Sequence, residues 1–179
     1  MRRKILTYII VLLMIPLVVA AGVIFFEDRK YAFISMAVAL LSCIPFFLTF
    51  ERKENSAKKL IVIAVMIALS VSGRFLFAPL PFFKPVTAIV VVTALYLGAE
   101  AGFLTGSLSA VISNFYFMQG PWTLFQMAVW GLIGFLAGLL AKPLLRSRVS
   151  LYLYGAFAGV LFSFLMDIWT VLWQDGTFN

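Results

Sequence analysis

The sequence predicts an all-α protein, a polytopic transmembrane helical bundle of about seven spans. Three observations carry that prediction. Of 179 residues, 64% are hydrophobic and 12% charged, a balance too apolar for a soluble domain of this size to bury. Apolar runs of about 20 residues recur, the length a helix needs to cross a hydrocarbon layer roughly 30 Å thick. The charged residues gather in short segments between those runs.

In chain order, the apolar segments cover 5–26, 31–50, 60–78, 85–98, 101–118, 122–141 and 151–173. They are separated by EDRK, ERKENSAKK, PLPFFK, Gly98–Glu100, QGP and KPLLRSR. The first follows Met-Arg-Arg-Lys but is too long for a signal-peptide core, and AAGVIFFEDRK is a poor cleavage site, so it is expected to be retained. The fourth and fifth are short, which allows a tilted or partly re-entrant hairpin. The chain divides into an N-terminal hairpin with a basic loop (1–57) and a membrane core (58–179).

The net charge of +7 belongs to the loops, where it sets orientation and gives no reason to invoke a nucleic acid. Arg2, Arg3, Lys4, Arg52, Lys53, Lys58, Lys59, Lys142, Arg146 and Arg148 fall on the N-terminal side, against Arg29, Lys30, Arg74 and Lys84 on the other. The positive-inside rule therefore places the N-terminus in the cytoplasm of a multi-pass plasma-membrane protein, surrounded by lipid. The single Cys43 excludes a disulfide framework, and the absence of histidine removes the commonest general base and metal ligand. No metal site and no catalytic residues are expected. No P-loop pattern is present, so any ATP is used by partner subunits and the chain itself needs no cofactor.

With this topology, polar residues from several spans meet at the outer end of the membrane: Arg74, Lys84, Asn114, Gln119, Trp122, Gln126, Asp167 and Trp169. That convergence suggests an outward-facing pocket. Each residue also has a plainer reading. Trp122, Trp169 and Trp173 suit an interfacial belt, Lys84 suits snorkelling, and Asn114 and Gln126 suit interhelical hydrogen bonding. Asp167 within VLFSFLMDIWTVLW is costly in a membrane and needs a partner or a task; Arg74 is the candidate partner, and a ligand-facing role is compatible with that pairing.

Gly120-Pro121 is expected to turn the chain at SNFYFMQGPWTLFQMAVWG, with proline at a helix start where it loses no needed donor. Ala64, Ala68 and Ser72 recur every four residues along one side of the third span, a small-residue stripe that lets another helix approach, inside this chain or outside it. Two further series, Gly98, Gly102, Gly106 and Gly131, Gly134, Gly138, are expected to pack spans four to six together.

The motifs FKPVTAI, GAEAGFLTG and SNFYFMQGPWT with the following QM and WG resemble the substrate-binding S-components of energy-coupling factor (ECF) vitamin transporters. The resemblance is strong over about 58–175 and looser over the first two spans, as in a subgroup with an extra N-terminal helix pair. It implies a bacterial membrane subunit that captures a vitamin or related micronutrient from outside. Such a subunit docks on a transmembrane coupling subunit driven by two ATPases. It further implies that Ala64 and Ala68 match an alanine-x-x-x-alanine docking motif on the first core helix. The family core has six helices. Counted from Lys58, five are read here before WQDGTFN, so either the last is lacking or the span count is one short.

The aromatic residues at the outer face (Phe75, Phe77, Phe82, Phe83, Phe115, Tyr116, Trp122, Trp169) suit a large, partly planar ligand, and cobalamin is the favoured vitamin. A membrane-embedded enzyme and a scaffold protein without substrate are the alternatives. An enzyme would want a histidine or paired carboxylates. Here histidine is absent, and Glu100 and Asp167 fall at opposite membrane faces.

Overall fold

A computed structural model describes residues 56–80 and 83–174, with Leu13, Leu17, Ala37, Val38 and Leu41 from the N-terminal part. For Ser56, Pro121, Ile168, Trp169 and residues 171–174 it describes the backbone alone. The two expected N-terminal spans, and with them the retention of the first, lie outside the described residues except at those five positions. There Val38 is fully buried in the main core and Leu41 packs against it.

Among the described residues all regular structure is helical: α1 (Ser56–Leu76), α2 (Val86–Leu97), α3 (Ala99–Phe117), α4 (Pro121–Leu139), α5 (Ala141–Arg146) and α6 (Arg148–Gln174). Five of these match the expected segments. Three contain stretches long and apolar enough to cross a membrane, Ala57–Leu76, Trp122–Leu139 and Arg148–Asp167. At 1.5 Å per residue, α2 is only about 18 Å long and cannot span alone. The helix α3 has the length but carries Thr105, Ser107, Ser109, Ser113 and Asn114, all buried. A full set of seven spans is therefore not what the described residues display.

The sequence of α3 explains its central place. Its small residues let the backbone of α4 come into contact. A methyl group on Gly134 would stand 2.5 Å from the Gly102 carbonyl, and one on Gly138 would stand 2.3 Å from Ala99 Cα. Around this contact, which is the most extensive in the bundle, Phe103, Leu124, Met127, Ile133 and Phe135 form the core. Gly98 serves differently: its φ of 101° makes the α2–α3 turn, a conformation that side chains other than glycine's resist. Gly102, Gly106, Gly131, Gly134 and Gly138 thus pack α3 and α4 together, while Gly98 only turns the chain.

Helix α1 lays Ile63, Ile67 and Val71 against Ala101 and Leu104 of α3. Its remaining faces, including Ile61, Val65 and Leu69, are exposed and apolar, as a lipid-facing helix requires. Helix α6 packs on α4 and α5 and leaves most of its surface exposed. The six-residue α5, anchored by buried Leu144, falls in the loop expected between spans six and seven.

Candidate functional site

The five long helices alternate in direction, with the short α5 lying between α4 and α6, so the end of α1, the start of α2, the end of α3, the start of α4 and the end of α6 lie at one end of the bundle. Lys58, Lys142, Arg146 and Arg148 lie at the other. Arg74 reaches into the polar end from the last turn of α1. Its Nη1 donates to Ser113 Oγ at 2.5 Å and to Asn114 Oδ1 at 2.8 Å. Its guanidinium carbon lies 4.9 Å from the Phe117 ring centre and 5.3 Å from that of Trp130, so two aromatic faces help to hold the charge. The α1 end reaches this place because Gly73 presents no side chain: a methyl there would meet Pro85 Cγ at 2.8 Å.

Asn114 is fully buried and links three helices. Besides accepting from Arg74, it donates through Nδ2 to Thr123 Oγ1 at 2.8 Å and to Gln126 Oε1 at 2.9 Å. Three of its four hydrogen-bonding positions are thereby filled. Thr123 also accepts from the Gly120 N–H at the α4 start, where Pro121 occupies the first helical position as expected. One turn beyond Gln126, Trp130 donates from Nε1 to Thr87 Oγ1 at 3.2 Å and stacks on Phe162 of α6, with ring centres 4.8 Å apart.

These groups line one side of a cleft of about 850 Å³ between α2, α4 and α6. Arg74, Lys84, Thr87, Gln126 and Trp130 supply its polar and aromatic wall, and Val91, Val92 and Leu151 its apolar wall. Gly155 and Gly159, one turn apart on α6, face it as well, and a methyl on either would meet nothing within 4 Å among the described residues. The volume is within the range of about 300–1,000 Å³ usual for small-molecule sites.

The expected site residues divide. Arg74, Asn114 and Gln126 come together as one network, with Arg74 and Gln126 on the cleft. Lys84 borders the cleft, but its ammonium is committed to the carbonyls of Phe77, Ala78 and Leu80 at 3.1–3.2 Å. Gln119 folds back to donate to the Val111 carbonyl at 3.0 Å. The ring of Trp122 folds over Gly120, outside the cleft wall.

Asp167 is exposed and is absent from the cleft wall, and Arg74 bonds to Ser113 and Asn114 instead of forming the expected ion pair. The Trp169 side chain lies outside what is described. Ala64, Ala68 and Ser72 all sit on the exposed side of α1, not in a contact within the described bundle. Among the described residues, no three His, Cys, Asp or Glu side chains gather as a metal site.

Sequence reasoning missed Ser113, Thr87, Trp130, Phe162 and the Gly155–Gly159 pair. A usable signal existed for Trp130, which lies four residues after Gln126 and so on the same helical face. Of the eight aromatic residues expected at the outer face, the six whose side chains are described (Phe75, Phe77, Phe83, Phe115, Tyr116 and Trp122) are not among the cleft-lining residues, and Phe82 and the Trp169 side chain lie outside what is described. Phe75 instead packs with Tyr116 and Phe117 between α1 and α3, and Phe77 packs with Phe83 in the loop.

The family model of the ECF-type riboflavin transporter, S component, matches residues 54–177. Neither the curated proteins nor the solved structures give a significant match.

Proposed function

This chain belongs to that S-component family, and we propose that it captures riboflavin at the cleft beside Arg74 and delivers it to an ECF module. S-components are membrane-embedded transporter subunits, not enzymes. They work with a coupling subunit and ATPases. The observation that carries the vitamin reading is the cleft itself: about 850 Å³, apolar on most sides, with Arg74, Thr87 and Gln126 convergent at one end. That is the composition of a site that orients a mostly flat, mostly apolar molecule through a few polar groups.

Riboflavin replaces the sequence-based preference for cobalamin for two reasons. The family description names riboflavin. The preference for a bulkier vitamin rested on aromatic residues of which none of the six with described side chains lines the cleft.

The membrane orientation follows the charge. Lys58, Lys142, Arg146 and Arg148 mark the cytoplasmic end, and the cleft opens toward the outside. Residues 58–179 act as the substrate-binding core. Docking uses the exposed Ala64, Ala68 and Ser72 stripe, where small side chains let a helix of the coupling subunit approach closely. Mass spectrometry of the small molecule carried by the detergent-purified protein tests the reading. Riboflavin is expected, and cobalamin in its place would reverse the substrate assignment.

A further inference from the structure

The hydrogen bonds behind the cleft have a fixed direction, and that direction determines what the cleft offers a ligand. Arginine can only donate, so the Asn114 atom facing Arg74 is its carbonyl oxygen. The Asn114 amide nitrogen must then face Thr123 and Gln126, and Gln126 must receive it with its own oxygen. Among the described residues, Gln126 Nε2 and the Nε and Nη2 of Arg74 find no hydrogen-bond partner, and none of them is sealed from solvent. Thr87 accepts from Trp130, which leaves its hydroxyl proton free. Among the described residues no carboxylate lines the cleft.

From this relay we infer that the cleft reads an edge of hydrogen-bond acceptors on its ligand, with Arg74 and Gln126 as the determinants of specificity. The inference rests on the riboflavin reading and deepens it. The flavin ring presents two such edges, each a ring nitrogen beside a carbonyl, and one of them faces Arg74 and Gln126. The neighbouring imide N–H, a donor, does not. A ligand with donors at the corresponding edge is rejected, because its N–H groups would meet N–H groups and both sets would go unpaired on binding.

The experiment compares riboflavin, 1-deazariboflavin and 5-deazariboflavin binding to the full chain, and to its Gln126→Glu variant, by equilibrium titration in detergent. Each analogue replaces one ring nitrogen acceptor by C–H. In the variant, one carboxylate oxygen still accepts from Asn114 and the other turns an acceptor toward the ligand. One analogue is expected to bind the parent at least fivefold more weakly than riboflavin, with that difference falling below twofold in Gln126→Glu. Equal binding of all three flavins to the parent overturns the inference and leaves riboflavin capture standing, as does an analogue difference that persists unchanged in the variant. A correctly folded parent that binds no riboflavin overturns the vitamin reading and this inference together.

Discussion

Nη1 of Arg74 stands 2.8 Å from Oδ1 of Asn114, tying the last turn of α1 to the last turn of α3. Because Asn114 also reaches Thr123 and Gln126 on α4, one buried amide holds three helices at the end where the cleft opens. Asn114→Ala leaves Arg74, Thr123 and Gln126 each short of a partner. The expected loss is roughly 1–3 kcal/mol of stability, read as a lower melting temperature in detergent. Asn114→Asp separates structure from recognition. The carboxylate keeps Arg74 as an ion pair but forces the Gln126 amide to turn over, so the variant should melt near the parent and bind riboflavin at least fivefold more weakly. A parent-like affinity would place ligand recognition elsewhere.

Trp130 and Trp122 lie two helical turns apart on α4 and should behave differently. Trp130 is buried between Arg74 and Phe162 and donates to Thr87. Trp130→Phe keeps an aromatic face for Arg74 but loses that hydrogen bond, worth about 0.5–1.5 kcal/mol. Riboflavin titration should show it as a two- to tenfold weaker affinity. Trp122 covers Gly120 outside the cleft, so Trp122→Ala should change affinity by less than twofold.

Glycines on different helices should respond oppositely to the same added methyl. Gly134→Ala drives a carbon against the Gly102 backbone. Relieving that overlap means separating α3 from α4, at about 1–3 kcal/mol. Gly155→Ala adds a methyl that meets nothing among the described residues, so its stability should stay within about 0.5 kcal/mol of the parent or rise slightly. Thermal melts of the two variants side by side check the contrast, and equal destabilisation would contradict the described α3–α4 contact.

The exposed stripe of α1 carries the docking prediction. Ala64→Trp and Ala68→Trp place large rings on a surface that no described residue covers. Folding and riboflavin affinity should be unchanged, while co-purification with the coupling subunit falls at least tenfold. Unchanged co-purification would move the docking face off this side of α1.

The parts of the fold that were readable in the sequence are those that depend on neighbours along one helix. Apolar length located α1, α4 and α6, glycine spacing on α3 and α4 foretold their contact, and Gly120-Pro121 marked the turn. The site was legible in part, because residue type announces a need for a partner but not which partner. Asn114 and Gln126 were expected on one site and do meet, whereas Arg74 found Ser113 and Asn114 and not Asp167. Charge complementarity favours a carboxylate only when the helix carrying it packs close enough, and α6 keeps Asp167 exposed. Lys84 does border the cleft, and what its residue type could not announce is that the end of α1 and the following loop offer its ammonium three carbonyls. Gly155 and Gly159 gave no sign, because a glycine that opens a cleft and one that packs a helix look alike in sequence.

The central claim is that riboflavin occupies the cleft between α2, α4 and α6. Gly159 faces that space, and a methyl there would have no atom of the described residues within 4 Å. Gly159→Leu therefore fills the cleft while leaving the fold alone. The direct measurement is riboflavin fluorescence titration of the purified parent and of Gly159→Leu, with matched thermal melts. Saturable one-to-one binding by the parent, at least tenfold weaker in a variant that melts normally, is the predicted result. Equal riboflavin affinity in the two proteins would contradict the claim, because the ligand would then have to bind outside the cleft.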